Sequence, residues 1–97
     1  MENSKIPSII QEVSNDKLDF SVYPNPNDGN FTIQLLQVEE MKPYSVQIFS
    51  SLGVLISQIE HCNTYHLNIN HTNLPPGAYF IKLNMGNIIT TKKVIIQ

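Results

Sequence analysis

From Leu18 onward the chain is built of short runs in which apolar and polar residues alternate. In FTIQL, Phe31, Ile33 and Leu35 alternate with Thr32 and Gln34, and in YSVQIF, Tyr44, Val46 and Ile48 alternate with Ser45 and Gln47. YHLNIN repeats the pattern through Tyr65, Leu67 and Ile69, and AYFIKLN through Tyr79, Ile81 and Leu83 against Lys82 and Asn84. A period of two puts each apolar set on one face of a strand, so each run predicts a strand with one buried and one wetted face. VLISQI (54–59) is apolar at both parities and predicts a strand with part of each face covered. Gly86-Asn87 marks a tight hairpin into a last strand, IITTKKVIIQ. Turn signals every 8 to 12 residues or so make about seven strands with no helix between them, the pattern of an antiparallel all-β sandwich. Its expected core is Phe31, Ile33, Val46, Ile48, Leu67, Ile69, Tyr79, Ile81 and Leu83.

Two corners stand out. In VYPNPNDGNFTI, Pro24 and Pro26 fix φ, lack amide donors and push Tyr23 and Asn25 toward extended geometry, predicting a straight, stiff segment. Asn27, Asp28 and Gly29 then supply side chains that bond their own backbone and a position that accepts φ > 0, so a first strand is halted, turned and restarted at Asn30. Because prolines cannot donate to a ladder, the corner also keeps the edge of that first strand from being extended. In NLPPGAY, a leucine, two prolines and Gly77 precede a strand whose second residue after the glycine is Tyr79. A tyrosine in that position either returns its hydroxyl to the upstream backbone, as in immunoglobulin-like sandwiches, or sits in the core with its hydroxyl at the surface.

The composition bounds the rest. With 97 residues, 41% hydrophobic and 14% charged, the chain suits one small domain with a single core. Residues 1–17 mix isolated apolar positions with Asn, Ser, Glu and Lys, with Pro7 interrupting the only cluster; they read as a linker with one weak helical turn around Ile9 to Val13, and residues 18–97 as the folded domain. A net charge of -2 with six basic residues argues against a nucleic-acid partner. The apolar runs are too short to span a bilayer, and residues 1 to 19 lack the pattern of a signal peptide.

Candidate chemistry is sparse. His61, Cys62, His66 and His71 are the one cluster of metal-ligating types, but they offer none of the standard zinc spacings, so solvated histidines and a half-buried inert thiol are expected. A single cysteine makes no internal disulfide. Asp16, Asp19, Asp28, Glu39, Glu40 and Glu60 form no calcium-loop pattern, and Asp28 is expected to cap its own backbone. Asn30-Phe31-Thr32 and Asn70-His71-Thr72 match the glycosylation acceptor pattern, which is common by chance. No nucleophile and base, carboxylate pair or phosphate loop is present, so neither enzymatic activity nor a cofactor is expected.

Three stretches, in order, resemble one family: YPNPNDG near the start, IFSSLGVLI in the middle, and LPPGAYFIKL followed by TTKKVIIQ. The resemblance, over about Phe20 to Gln97, is to the type A C-terminal sorting domain of the bacterial type IX secretion system. It implies an immunoglobulin-like β-sandwich fused to an upstream cargo. It further implies an address label read in the periplasm by the secretion machinery, including an outer-membrane shuttle, and then removed by a sortase-like protease, leaving the cargo at the cell surface or secreted. The residues carrying that reading are Pro24, Asn25, Pro26, Gly29, Gly53, Pro76, Gly77, Tyr79, Lys92 and Lys93. The sequence departs from the family pattern in having Gly53-Val54 where a basic residue commonly follows the glycine, and in ending VIIQ, which leaves Lys92 and Lys93 as its basic pair. Alternation places those two lysines on opposite faces, so at least one is expected in solvent, and replacing exposed lysines changes stability by well under roughly 1 kcal/mol. The competing reading is an immunoglobulin-like binding or spacer module of an extracellular hydrolase or adhesin. A carbohydrate binder of that kind should expose aromatic platforms, yet the chain has no tryptophan and most of its aromatics fall on predicted core faces.

Overall fold

A computed structural model describes residues 18–97; the linker expected over residues 1–17 lies outside the described residues. Seven strands follow one another among them: β1 (Asp19–Tyr23), β2 (Asn30–Leu36), β3 (Tyr44–Ser50), β4 (Leu55–Cys62), β5 (His66–Asn70), β6 (Gly77–Met85) and β7 (Ile88–Ile96). They form two antiparallel sheets, one of order β1-β2-β5 and one of order β4-β3-β6-β7. The constant immunoglobulin arrangement keeps the fourth strand with the first sheet; here β4 lies beside β3 and makes the second sheet the larger. Among the described residues no helix is long and apolar enough to cross a membrane.

The alternation read from the sequence decides the inner faces. Phe20, Phe31, Ile33, Leu35 and Ile69 from the first sheet meet Tyr44, Val46, Ile48, Tyr79, Ile81, Leu83, Val94 and Ile96 from the second in one buried cluster. Removing each such side chain from water contributes about 1.5–3 kcal/mol, so the sandwich rests on this layer. The hairpin at Gly86 forms as expected, with Met85 opposite Ile88 and Gly86 at φ +62.

Four expectations need correction. Leu67 is only partly buried: of the two apolar residues of β5, Ile69 enters the core cluster while Leu67 packs against its margin. Tyr65 is 46% exposed: it precedes β5 on the crossing between sheets, where its carbonyl accepts from Leu35 N at 2.9 Å while its ring stays outside. Val54, Leu55 and Ile56 are also exposed, since β4 borders the larger sheet and its ladder with β3 shifts register twice. Finally, Pro24 to Pro26 are not straight: the segment bends back so that the Asn25 side chain reaches the backbone of β7 at Lys93 and Ile95.

The corner before β6 resolves the two readings of Tyr79. Its ring is buried and its hydroxyl donates to Pro75 O at 2.6 Å, tying the crossing from β5 to the start of β6. Tyr79→Phe keeps the ring and removes this bond alone. A net loss of about 1 kcal/mol is expected, lowering the melting temperature by about 4–8 °C in thermal denaturation.

Candidate functional site

The singled-out residues converge because of strand direction. β3 ends where β6 begins, with Ser50 opposite Tyr79, and β6 begins where β7 ends, with Gly77 opposite Ile96. Asn27 forms an isolated parallel bridge with Ile96, so the β1–β2 corner joins the same end of the sandwich. Pro24, Asn25, Pro26, Gly29, Pro76, Gly77, Tyr79 and Lys93 are thereby gathered there. Gly53 belongs to that end through the β3–β4 turn, where its amide donates to Ser50 O at 2.9 Å. Lys92 lies farther along β7, opposite Ile81.

The corner does more than end β1. Asn25 Nδ2 donates to Lys93 O at 3.2 Å, and its Oδ1 accepts from Ile95 N at 2.8 Å, so one side-chain amide occupies the place of a neighbouring strand's peptide. Asn27 continues with its backbone, its N donating to Ile95 O at 3.0 Å and its O accepting from Gln97 N at 2.8 Å. The corner therefore halts β1 at Tyr23 and also covers the Lys93 to Gln97 end of the β7 edge.

Asn27 is the hub of this contact and the only buried polar residue among the described residues. Its Nδ2 donates to Pro24 O at 2.9 Å and its Oδ1 accepts from Gly29 N at 2.7 Å, so all its polar groups are used. A buried amide without partners would be costly, and here the folded corner supplies each one. Sequence reasoning read Asn27 as turn chemistry and left it off the site; its signal was the glycine two residues on, which fits an Asx turn. Asp28 behaves as expected, accepting from Asn30 N at 3.1 Å.

Gly29 is fixed by packing as well as by φ, which is +105. Its carbonyl accepts from His71 N at 2.8 Å, and a Cβ on it would lie 2.4 Å from His71 O and 2.8 Å from His71 C. Backbone stands there, so nothing yields cheaply. The corner is thus clamped between β7 and the β5–β6 crossing.

The two lysines have different surroundings. Lys92 points to the inner face, where its Nζ lies 3.1 Å from Asp19 Oδ1 and 5.9 Å from the centroid of the Phe20 ring. Lys93 faces out and is exposed, so the basic pair presents one uncommitted head group. Charge reversal at Lys92 sets two anions side by side at Asp19 and removes a cation from an aromatic face, an effect of roughly 1 kcal/mol or more. Stability is therefore not indifferent to both lysines.

The remaining candidates do not assemble. His61 sits in the β4 bulge at φ +59, His66 opens β5 and His71 lies on the β5–β6 crossing. No three His, Cys, Asp or Glu side chains come together to hold a metal among the described residues. Cys62 is buried, more deeply than expected, and burial, with Glu60 nearby, pushes its thiol pKa up. Asn30 and Asn70, the two glycosylation-pattern asparagines, are exposed and directly opposite each other across β2 and β5.

Two comparisons of variants check this geometry. Gly29→Ala should cost more than about 3 kcal/mol or prevent folding, through forced φ and collision with the His71 carbonyl. Gly53→Ala, at φ +86 but with nothing within 4 Å, should cost only about 1–2 kcal/mol; equal losses in urea denaturation would contradict the clamp. Asn27→Ala strands the Gly29 amide and the Pro24 carbonyl and should cost about 2–3 kcal/mol, against about 1 kcal/mol for exposed Asn25→Ala. In Asn25→Ala, amide exchange at Ile95 should accelerate while that at Val94 stays slow.

No curated protein matches the chain. A family model described as "Secretion system C-terminal sorting domain" matches residues 21–97, from within β1 through the end of β7 and including both corners. The match spans most of the chain and takes in every residue gathered at this end of the sandwich, and by it the chain belongs to the family of C-terminal sorting domains that direct proteins through type IX secretion.

Proposed function

We propose that residues 18–97 are the folded label itself, read in the periplasm by the type IX machinery and its outer-membrane shuttle. In this reading a sortase-like protease then cuts within residues 1–17, separating label from cargo. A sorting domain rides on a cargo protein and carries it toward the cell surface or the medium. Its chemistry is recognition, since the family is a sorting tail rather than a catalytic domain.

The observation that carries the proposal is the convergence of Pro24, Asn25, Pro26 and Gly29 with Pro76, Gly77, Tyr79 and Lys93 at one end of the sandwich. Residues far apart in the chain are held there by direct bonds, the Asn25 to Lys93 bond spanning 68 residues. Gly53 shares that end as a turn glycine, and Lys92 supports the neighbouring stretch of β7 from within. A label needs a surface that survives attachment to different cargos, and a rigid end built from its own backbone supplies one. Exposed Lys93 is the charged group this surface offers a reader.

Lys93→Glu isolates that role, because the side chain has no partner among the described residues whose loss would weaken the fold. In a bacterium possessing type IX secretion, a reporter fused ahead of the Lys93→Glu domain should accumulate in the periplasm. The melting temperature of the purified domain should shift by less than about 3 °C, as for an exposed substitution worth under about 0.5 kcal/mol. Export at the unmutated level would show that this charge is not read, and a large fall in melting temperature would assign any defect to unfolding.

A further inference from the structure

A sheet edge is a row of backbone donors and acceptors able to take another strand, and natural proteins blunt such edges with short strands, bulges or covering segments. Two of the four edges here, β1 and β5, are only five residues long. β4 is longer, but its ladder shifts register between Tyr44 and Val46 and again between Ile48 and Phe49 of its partner. β7 alone is both long and regular, with nine consecutive partners on β6.

Its outward groups can be assigned by parity. Met85 and Ile88 close a two-residue hairpin, so even-numbered residues of β7 bond to β6 and odd-numbered ones face outward. The corner's bonds agree, since they fall on Lys93 O, on Ile95 N and O, and on Gln97 N. That leaves the amides and carbonyls of Ile89 and Thr91 and the amide of Lys93 facing outward, without partners among the described residues. The side chains of these three residues share the outer face of the sheet, Ile89 54% exposed and Thr91 and Lys93 exposed.

We propose that the secretion apparatus reads this domain by strand addition along Ile89 to Lys93, laying an extended segment of its own on the edge whose far end the corner already occupies. The corner shows that this edge accepts strand-like pairing in place. The side chains describe the segment: an acidic residue beside Lys93, and an apolar one beside Ile89, since cross-strand neighbours of these kinds attract. Inward Lys92, neutralised by Asp19, sits behind the same stretch without obstructing its outer row. Backbone bonds supply affinity and the two flanking side chains supply register, which is the logic of β-augmentation. The inference rests on the sorting reading and adds the mode of recognition.

Thr91→Pro tests it, because proline deletes an outward amide and leaves the even-numbered bonds to β6 intact. The full chain, fused behind a reporter, is expressed in a bacterium possessing type IX secretion beside the unmutated fusion. The secreted fraction should fall at least about tenfold with the domain still folded; secretion at the unmutated level overturns strand addition. Failure of the unmutated fusion to be secreted would instead overturn the sorting reading. Should Thr91→Pro not fold, amide exchange of the unmutated chain Met1–Gln97 decides, measured by NMR with detergent-solubilised outer membrane from that bacterium and, as control, from one lacking the system. Slowing of Thr91 and Lys93 amides at least about tenfold with the first extract alone supports the proposal. Unchanged exchange overturns it, and so does slow exchange in the free chain, which would mean that the chain covers this edge itself.

Discussion

The arrangement depends on one contact: at the end of β7 the β1–β2 corner pairs with the outward backbone groups of a long edge strand. Asn25 does so with its side-chain amide and Asn27 with its main chain. For Asn27 to reach Ile95 and Gln97 the corner must fold back, and it holds that shape through bonds from Asn27 to Pro24 O and Gly29 N. Gly29 must in turn lie against the backbone of His71, where no side chain fits. One contact thus fixes the path of three separate segments, and the buried Asn27 is tolerated because each of its polar groups is used.

This has consequences for a sorting domain. Such a label must keep a recognisable surface while attached to another protein, so its distinctive residues are best held by bonds internal to it. Tyr79 anchors the approach to β6, the corner anchors the end of β7, and both act on the same end of the larger sheet. Charge has a smaller part. Lys92 is occupied by Asp19 and lies near the Phe20 ring, which links β7 to β1 across the sandwich, and Thr90 Oγ1 donates to Leu18 O at 2.8 Å beside it. Lys93 is left to face outward.

The aromatic residues show how function classes separate on such a scaffold. Phe20, Phe31, Tyr44 and Tyr79 are buried, and Tyr44 also spends its hydroxyl on Thr64 O at 2.8 Å. Tyr23 and Tyr65 are exposed, but they belong to the first strand and to the crossing ahead of β5 and form no shared platform in the register of the sheet. The exposed apolar residues Leu52, Val54, Leu55 and Ile56 follow one another along the β3–β4 turn and the start of β4. There the ladder is irregular.

Much of the fold was legible because a strand's side-chain period is a local property. Phe31, Ile33 and Leu35, or Tyr79, Ile81 and Leu83, declare their buried face wherever the strand is placed, and the glycine before Asn87 declares its hairpin. The turn role of Asn27, Asp28 and Gly29 was also local, since each bond involved spans two or three residues. Sheet order is not local. Only pairing between distant segments decides where each strand lies and where the margin of the core falls, and Leu55, Ile56 and Leu67 lie at or beyond that margin, less covered than their sequence suggests. The same holds for the candidate site: the two proline corners and the lysine strand could each be picked out from the sequence, yet nothing in YPNPNDG states that its asparagines meet a strand 68 residues away. The sequence by itself determined which faces are apolar and where the chain turns. The tertiary structure decided which backbone groups remained at an edge and which residues covered them, because hydrogen-bond partners are set by spatial neighbours rather than by the order of residues along the chain.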